Sequence, residues 1–405
     1  MAINYKGDIS VVLDFQHRTP GNLRAFVQAT LRSIKTGKAS DVRFSSTEKI
    51  EPVPMLTTKM EFSYKDGEDY VFTDPDTYET VTLANELVGT AKDYLVENGA
   101  VTVRDVARPV RPPGFALLRL LAGGICNTDL ELQRGYYGFR GTPGHEFVAE
   151  VAEADSPALV GCRVVGEINL ACHACEWCRR GLTRHCPNRT VLGIVNHPGA
   201  FAEFFTLPEV NLHPVPDSIP THRAVFTEPL AAACEILDQA SIPPHSTVAV
   251  LGDGKLGLVI SMLLLANGYH VDHYGRHPEK LALGGARPFT TLPPAAAYDW
   301  VVEASGSPDG LRTAVATTRP RGTLILKSTV HGSVPLDTAP LVVNEISVIG
   351  SRCGRFEAAL PLLEANVIPV EPMISARFPL SAAPEAFARA AAPGVLKVLL
   401  APDTI

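Results

Sequence analysis

The sequence predicts an α/β fold with a doubly wound parallel sheet over most of the chain, preceded by a smaller all-β segment, and three observations carry that prediction. From Arg104 onward, strand-like runs (STVAVLG, DWVVEASG, GTLILKS, ISVIGS) alternate with helix-like ones (KLGLVISMLLLANG, DGLRTAVAT), the order that builds a parallel sheet with helices on both faces. Before residue 100 the apolar runs are short and β-like (VVLDF, RAFVQATLRSI, DVRFSS). Turns such as Thr19-Pro20-Gly21-Asn22, Thr36-Gly37 and the hairpin Lys65-Asp66-Gly67 break them. Charge divides the chain too: residues 1–50 carry 8 basic and 4 acidic side chains, residues 51–103 carry 3 and 11.

A length of 405 residues implies roughly two to four domains. A hydrophobic content of 46% with 20% charged residues supplies ample core. The net charge of −7 argues against general attraction to nucleic acid or anionic membrane. The start, MAINYKGDIS, has no apolar signal core, and no run of 18 apolar residues follows. The expected compartment is the cytoplasm, where thiols stay reduced, so the eight cysteines point to metal or catalysis before disulfides.

Cys172, Cys175, Cys178 and Cys186 follow C-x2-C-x2-C-x7-C. Thiolates so close can converge on one tetrahedral ion, and four sulfurs suit zinc in a closed structural site. A nucleic-acid zinc ribbon would separate its knuckles further and sit in more basic sequence. A second set is spread along GGICNTDLEL, GTPGHEFVAEV and AVFTEPLAAACEIL. There Cys126, His145 and Glu228, with Glu146 beside the histidine, offer a thiolate, an imidazole and carboxylates for a catalytic zinc with one open position. Singly, each is as readily a core residue.

STVAVLGDGKLGLVISMLLLANG reads as a strand, the turn Gly252-Asp253-Gly254-Lys255-Leu256-Gly257, and an apolar helix. That context makes G-x-G-x-x-G a dinucleotide site, its glycines letting a pyrophosphate approach a helix N-terminus. The next strand, YHVDHYG, carries His270, Asp272 and His273, although a strand buried on both faces is ordinarily apolar throughout. The Gly- and Pro-broken LALGGARPFTTLPPAAAYDW after it predicts a truncated helix.

From about Val103 onward the chain resembles the zinc-containing medium-chain dehydrogenase/reductase superfamily. The resemblance rests on G-x-C-x-T-D (Gly124 to Asp129), G-H-E (Gly144 to Glu146), the four-cysteine lobe, E-P-L (Glu228 to Leu230) and G-x-G-x-x-G. It implies a GroES-like catalytic domain over 104–230, a Rossmann domain over 231–352 and a return to the catalytic part over 353–405. It assigns Cys126 and His145 to a catalytic zinc, Glu228 or Glu146 to the remaining position, and Thr128 to the start of a proton relay. The substrate would be an alcohol, polyol, aldehyde or ketone; a zinc-free quinone reductase is disfavoured by the ligand set. By the same alignment Gly275 occupies the position where an acid binds the ribose 2′-hydroxyl of NAD, and Arg276 and Lys280 follow. NADP(H) is therefore preferred over NAD(H), because a guanidinium grips phosphate well. Asp272 is the alternative acid if the register shifts by three, and the bland alternative reads Arg276 as a solvated loop residue. Ser305, in Val302-Glu303-Ala304-Ser305-Gly306, matches a strand end beside the nicotinamide ribose. Gly350-Ser351-Arg352 resembles another turn near the cofactor, and Lys397 is expected at the pyrophosphate. A homodimer or homotetramer is implied, and Tyr136, Tyr137 and Phe139 suggest an apolar substrate wall or a loop packing on its own lobe.

Residues about 7–103 resemble bacterial elongation factor P through RTPGNLRAFVQATLRSIKTGK, DVRFSSTEKIE and FSYKDGEDYVFTDPDTYETVTL through AKDYLVENG. This implies a first KOW/SH3-like β-barrel over 1–50, clipped before Gly7, and a partial OB-like segment over 51–103, with the family's third domain absent. Asn22 stands where many members carry a modified lysine. The first strand usual in the dehydrogenases, before VRDVARP, is also missing. No competent translation factor is expected. A ribosome or RNA contact through Arg18, Arg24 and Arg32 is weaker than their reading as a solvated β surface. The competing classes are a translation-associated protein with an incidental enzyme moiety and a metal-holding chain without turnover.

Overall fold

The computed structural model describes residues 2–6, 8–18, 26–33, 38–45, 48, 50–53, 60–66, 68–73, 80–88, 101–134, 139–329 and 334–403. Asn22, Arg24, Tyr136, Tyr137 and the turns at 19–22 and 36–37 lie outside them. Two compact units meet in sequence at Gly99 and Ala100, close to the change of texture at Arg104.

In the first unit, strands Ala2–Tyr5, Asp8–Arg18, Phe26–Ser33, Ala39–Ser45 and Glu51–Val53 form an antiparallel sheet. Alternation decides its faces: Ala29 and Leu31 turn inward with Ile3 and Phe44, while Thr30 between them turns out and donates to Asp41 (2.6 Å). The ring of Tyr5 meets Phe44 edge-on at 5.5 Å. Arg18 and Arg32 are exposed. Strands Glu61–Asp66, Asp69–Thr73 and Thr80–Leu83 make a second antiparallel sheet, which buries Tyr70 and Val71.

The second unit begins with 101–112, among which no strand is described. Then come β1 (Phe115–Ile125), α1 (Asn127–Gln133), β2 (Glu146–Glu153), β3 (Arg163–Gly166), β4 (Phe204–Pro208), β5 (Leu212–Pro214) and α2 (Thr227–Gln239). The alternating region supplies β6 (Thr247–Leu251), α3 (Lys255–Ala266), β7 (His270–Tyr274), β8 (Arg287–Phe289), β9 (Tyr298–Glu303), α4 (Pro308–Thr317), β10 (Thr318–Leu326) and β11 (Ser347–Gly350). The chain ends in α5 (Phe356–Glu364), β12 (Ile374–Pro379), α6 (Ala383–Ala391) and β13 (Lys397–Ala401). The order β8-β7-β6-β9-β10-β11 is parallel throughout. Val248, Ala249 and Val250 of β6 are fully buried, as a strand covered on both faces requires. The other sheet runs β5-β3-β2-β1-β13-β12, with β4 also on β1. Pairing of β13 with β1 sets Val398 opposite Ile125, so the C-terminus returns beside Cys126.

The polar residues of β7 are explained by their partners. His273 is buried with Nδ1 2.9 Å from Ser261 Oγ and Nε2 2.8 Å from the Gly252 carbonyl. Burial lowers its pKa, so the neutral ring donates to that carbonyl and steadies the glycine-rich turn from below. Asp272 takes Arg287 Nε (2.7 Å) and Nη2 (2.6 Å) and Tyr298 Oη (2.6 Å). That carboxylate is fully engaged inside the domain, which removes it as the ribose acid. The helix after β7 is the single turn Pro278–Leu281, truncated as its composition predicts.

Burial pushes the Asp272 pKa up, but the bonds from Arg287 and Tyr298 outweigh it and hold the carboxyl below its ordinary value. A depressed folded pKa stabilises above the unfolded value, about 3.9, and that contribution is lost as pH falls through the folded one. Asp272→Asn should therefore cost about 1–3 kcal/mol at pH 7. In thermal melts its gap to the wild type should be widest near neutrality and narrow below about pH 4.

Candidate metal centres and dinucleotide turn

The four lobe sulfurs converge. Sγ–Sγ distances are 3.5 Å (Cys175–Cys178), 3.7 Å (Cys175–Cys186), 3.5 Å (Cys172–Cys186) and 4.0 Å (Cys172–Cys178). Tetrahedral zinc with Zn–S bonds of about 2.3 Å wants sulfurs about 3.8 Å apart, so the cage fits the ion. Backbone N–H groups of Ala174 and Cys175 pull the Cys172 pKa down to about 6, while burial and the neighbouring thiols push Cys178 up to about 12. Four sulfurs in so small a cage ionise together only around a cation. Arg184 ties the lobe to the body, donating to Glu235 on α2 and to the Cys353 carbonyl, both at 2.9 Å.

The second set is assembled from three chain segments. Cys126 precedes α1, and its N–H donates to Asp129 Oδ2 (2.8 Å), a box closure that starts the helix and aims the thiol. Ligand atoms of Cys126, His145 and Glu146 all lie within 4.8 Å of one another. His145 is buried, its Nδ1 at an ion-pair distance of 3.3 Å from Asp129 Oδ1 but outside hydrogen-bond geometry, and that oxygen accepts from Gly144 N (3.1 Å). A carboxylate behind the ring is the arrangement that orients a metal-binding imidazole, and the donor set of thiolate, imidazole and carboxylate suits zinc. Burial would lower the His145 pKa, but the nearby charge of Asp129, then Cys126, raises it well above the ordinary value. Thr128 Oγ1 lies 3.8 Å from Cys126 Sγ.

Glu228, in the first turn of α2, stands outside this converging group. Burial raises its pKa, and it feels His145, Glu146, Lys397 and Lys327. Lys397, expected at the pyrophosphate, is instead buried, with Nζ on the Glu146 carboxylate. Its position on β13, paired with β1, brings it to the metal set, where its charge also reaches Lys255 of the glycine-rich turn.

The turn itself takes the expected form. Gly252 has φ +119°, Gly254 precedes α3, and Lys255, Leu256 and Gly257 open that helix. A Cβ at Gly257 would meet the Gly252 carbonyl at 1.9 Å, so only glycine closes the turn. Lys255 Nζ donates to the Ile125 carbonyl (3.3 Å), next to Cys126. Gly275 and exposed Arg276 follow β7, and Lys280 lies in the single helical turn beyond. Ser305 N (2.8 Å) and Oγ (2.5 Å) both donate to Glu303 Oε1. In the 350–352 turn Ser351 Oγ accepts from Lys327 (3.1 Å), and Arg352 donates to Asn169 (3.1 Å) and the Arg184 carbonyl (2.7 Å). Lys327 also donates to the Ala232 (2.6 Å) and Arg352 (2.7 Å) carbonyls, and burial pushes its pKa down to about 8. Phe139 is half-buried. No local motif signals the roles of Asp129 and Asp253, which come from Gly144 and from Arg276 and His277 in the folded chain.

Comparison with known proteins finds relatives for both parts of the chain. Family models match for the alcohol dehydrogenase GroES-like domain (112–217) and zinc-binding dehydrogenase (292–365). Two further models match, the elongation factor P KOW-like (1–50) and OB (55–105) domains. The chain is 29% identical over 309 residues to D-altritol 5-dehydrogenase of Agrobacterium fabrum, covering 71% of this chain and 91% of that one. It is 29% identical over 318 residues to erythritol/L-threitol dehydrogenase of Mycolicibacterium smegmatis (69% and 88%). The N-terminal part is 42% identical over 103 residues to elongation factor P of Acidobacterium capsulatum, 25% of this chain and 55% of that one. Among solved structures, a zinc-binding dehydrogenase of Sinorhizobium meliloti 1021 bound to NADP superposes with TM-score 0.69 at 28% identity, covering 76% of this chain and 97% of that one.

Proposed function

We propose hydride transfer between a polyol or related alcohol and a nicotinamide dinucleotide, from a chain that matches the zinc-dependent medium-chain dehydrogenases over 112–217 and 292–365 after the KOW-like and OB domains of elongation factor P. One observation carries the reading: Lys255 of the dinucleotide turn and the Cys126–His145–Glu146 donors meet at the end of β1. The polyol class is favoured because two relatives are named for sugar-alcohol substrates.

Zinc bound there would supply Lewis acidity to the alcohol oxygen, and the dinucleotide would carry the hydride. Cys126, His145 and one carboxylate, Glu146 or Glu228, hold the metal, and the four lobe cysteines hold a second, structural zinc. Asp129 keeps the His145 ring in orientation. Lys397 balances the Glu146 charge. Thr128 is the hydroxyl that takes the alcohol proton and starts it toward solvent. On the cofactor side, Gly252, Gly254, Lys255, Leu256 and Gly257 receive the pyrophosphate, Ser305 lies near the nicotinamide ribose, and Gly275, Arg276 and Lys280 favour NADP(H) over NAD(H). A cytoplasmic homodimer or homotetramer goes with this reading. The chain spans 55% of the elongation factor P relatives, and the N-terminal unit is proposed as accessory, with a ribosome contact the weaker alternative.

Elemental analysis together with NADPH and NADH titration tests the proposal. About two zinc per chain and nicotinamide fluorescence that responds to binding are expected. One zinc or none, with no cofactor response, would overturn it.

A further inference from the structure

The acid missing from the end of β7 is supplied by the glycine-rich turn. Asp253, between Gly252 and Gly254, turns its carboxylate onto the residues that follow Gly275. Its Oδ2 accepts from Arg276 N (2.6 Å) and His277 N (2.7 Å) and lies 2.9 Å from His277 Nδ1. A Cβ at position 275 would come 2.5 Å from Asp253 Cβ and 2.6 Å from Oδ2. A side chain at 275 and a carboxylate from 253 therefore exclude one another, and glycine at 275 follows from Asp253 filling the space. Burial works to raise the Asp253 pKa, but donors from His277 and Arg276 prevail and keep the group ionised. The side chain retains 13% exposure, so part of it stays open to solvent.

We propose that Asp253 is the specificity-determining residue of the dinucleotide site, its carboxylate receiving the adenosine ribose 2′-hydroxyl in place of an acid at 275, so that NAD(H) remains a usable cofactor beside NADP(H). This rests on the dinucleotide reading above and deepens it. A ribose hydroxyl meets a fixed acceptor. A 2′-phosphate meets a like charge instead, and finds the Arg276 and His277 backbone donors already engaged. Only the Arg276 and Lys280 side chains are left to hold it, so Asp253 limits the NADP(H) preference those residues confer.

The test is titration of the full chain with NADH and NADPH, following nicotinamide fluorescence, for wild type, Asp253→Asn, Arg276→Ala and the exchange Asp253→Gly with Gly275→Asp. Asparagine keeps an acceptor for the loop donors and removes the charge. Its ratio of NADH to NADPH dissociation constants should move toward NADPH by about tenfold or more. The exchange variant returns the carboxylate from the other side of the contact and should restore NADH binding, which keeps the test valid if asparagine perturbs the loop. Equal weakening of both cofactors in Asp253→Asn, or no change, would mean that Asp253 only shapes the loop, and would overturn the proposal. Arg276→Ala should weaken NADPH alone. Wild-type protein that binds neither cofactor would remove the dinucleotide reading itself, and this inference with it.

Discussion

Cys126→Ser is expected to lower zinc from about two to about one per chain and to reduce kcat by about a thousandfold. The thiolate is one of three converging donors, and a serine hydroxyl is a poor replacement that stays protonated at neutral pH. The loss of Lewis acidity at the reacting oxygen is worth several kcal/mol, and each 1.4 kcal/mol is a decade in rate. Stability should change little, because the Cys126 N–H to Asp129 bond that starts α1 is a backbone bond and survives the substitution. The four-cysteine lobe, tied down separately through Arg184, should keep its ion. Elemental analysis, turnover and a thermal melt on one preparation check all three. A variant that retains two zinc and full turnover would remove Cys126 from the catalytic site. A variant that loses both ions would mean that the centres are not independent.

Lys397→Met should be the most destabilising single change in the catalytic unit, costing about 3–5 kcal/mol, because it leaves the Glu146 carboxylate buried without its partner. Both side chains are 1% exposed, so no water can replace the ammonium. In melting temperature this is a fall of roughly 10 °C. In zinc-free protein, where loss of Glu146 as a metal donor does not enter, pairing it with Glu146→Leu removes the orphaned charge and should recover most of the loss, since a well-packed apolar pair in such a place is often as stable as the ion pair. Melts of the two single variants and the double variant form the cycle that measures the coupling. If Lys397 instead held the pyrophosphate, its replacement would weaken NADPH binding and leave the melting temperature alone. That pattern would restore the assignment read from sequence.

The difference between those outcomes marks where sequence reasoning ended. Segments whose meaning lies in short spacing were readable: the C-x2-C-x2-C-x7-C lobe, the strand–turn–helix around Gly252 to Gly257, and the alternation that foretold the parallel sheet. Their chemistry depends on neighbours within about a helical turn or two, so the linear order already contains it. The polar strand His270–Tyr274 looked like a defect for the opposite reason. Its partners Ser261, Arg287 and Tyr298 come from three other elements, and pairing them makes a buried polar strand affordable.

By itself, then, the sequence carried the resemblance to two families and the parallel fold, and it named the candidate metal donors and the candidate dinucleotide turn. Tertiary structure decided how those donors are supported. It set Glu146 against Lys397 across 251 residues, kept Glu228 outside the converging group, and brought Asp253 over Gly275. Those choices follow from strand pairing and from the exclusion of one side chain by another. A carboxylate's role is settled by the cation or backbone donors it meets in the folded chain, and such meetings leave no local spacing to read.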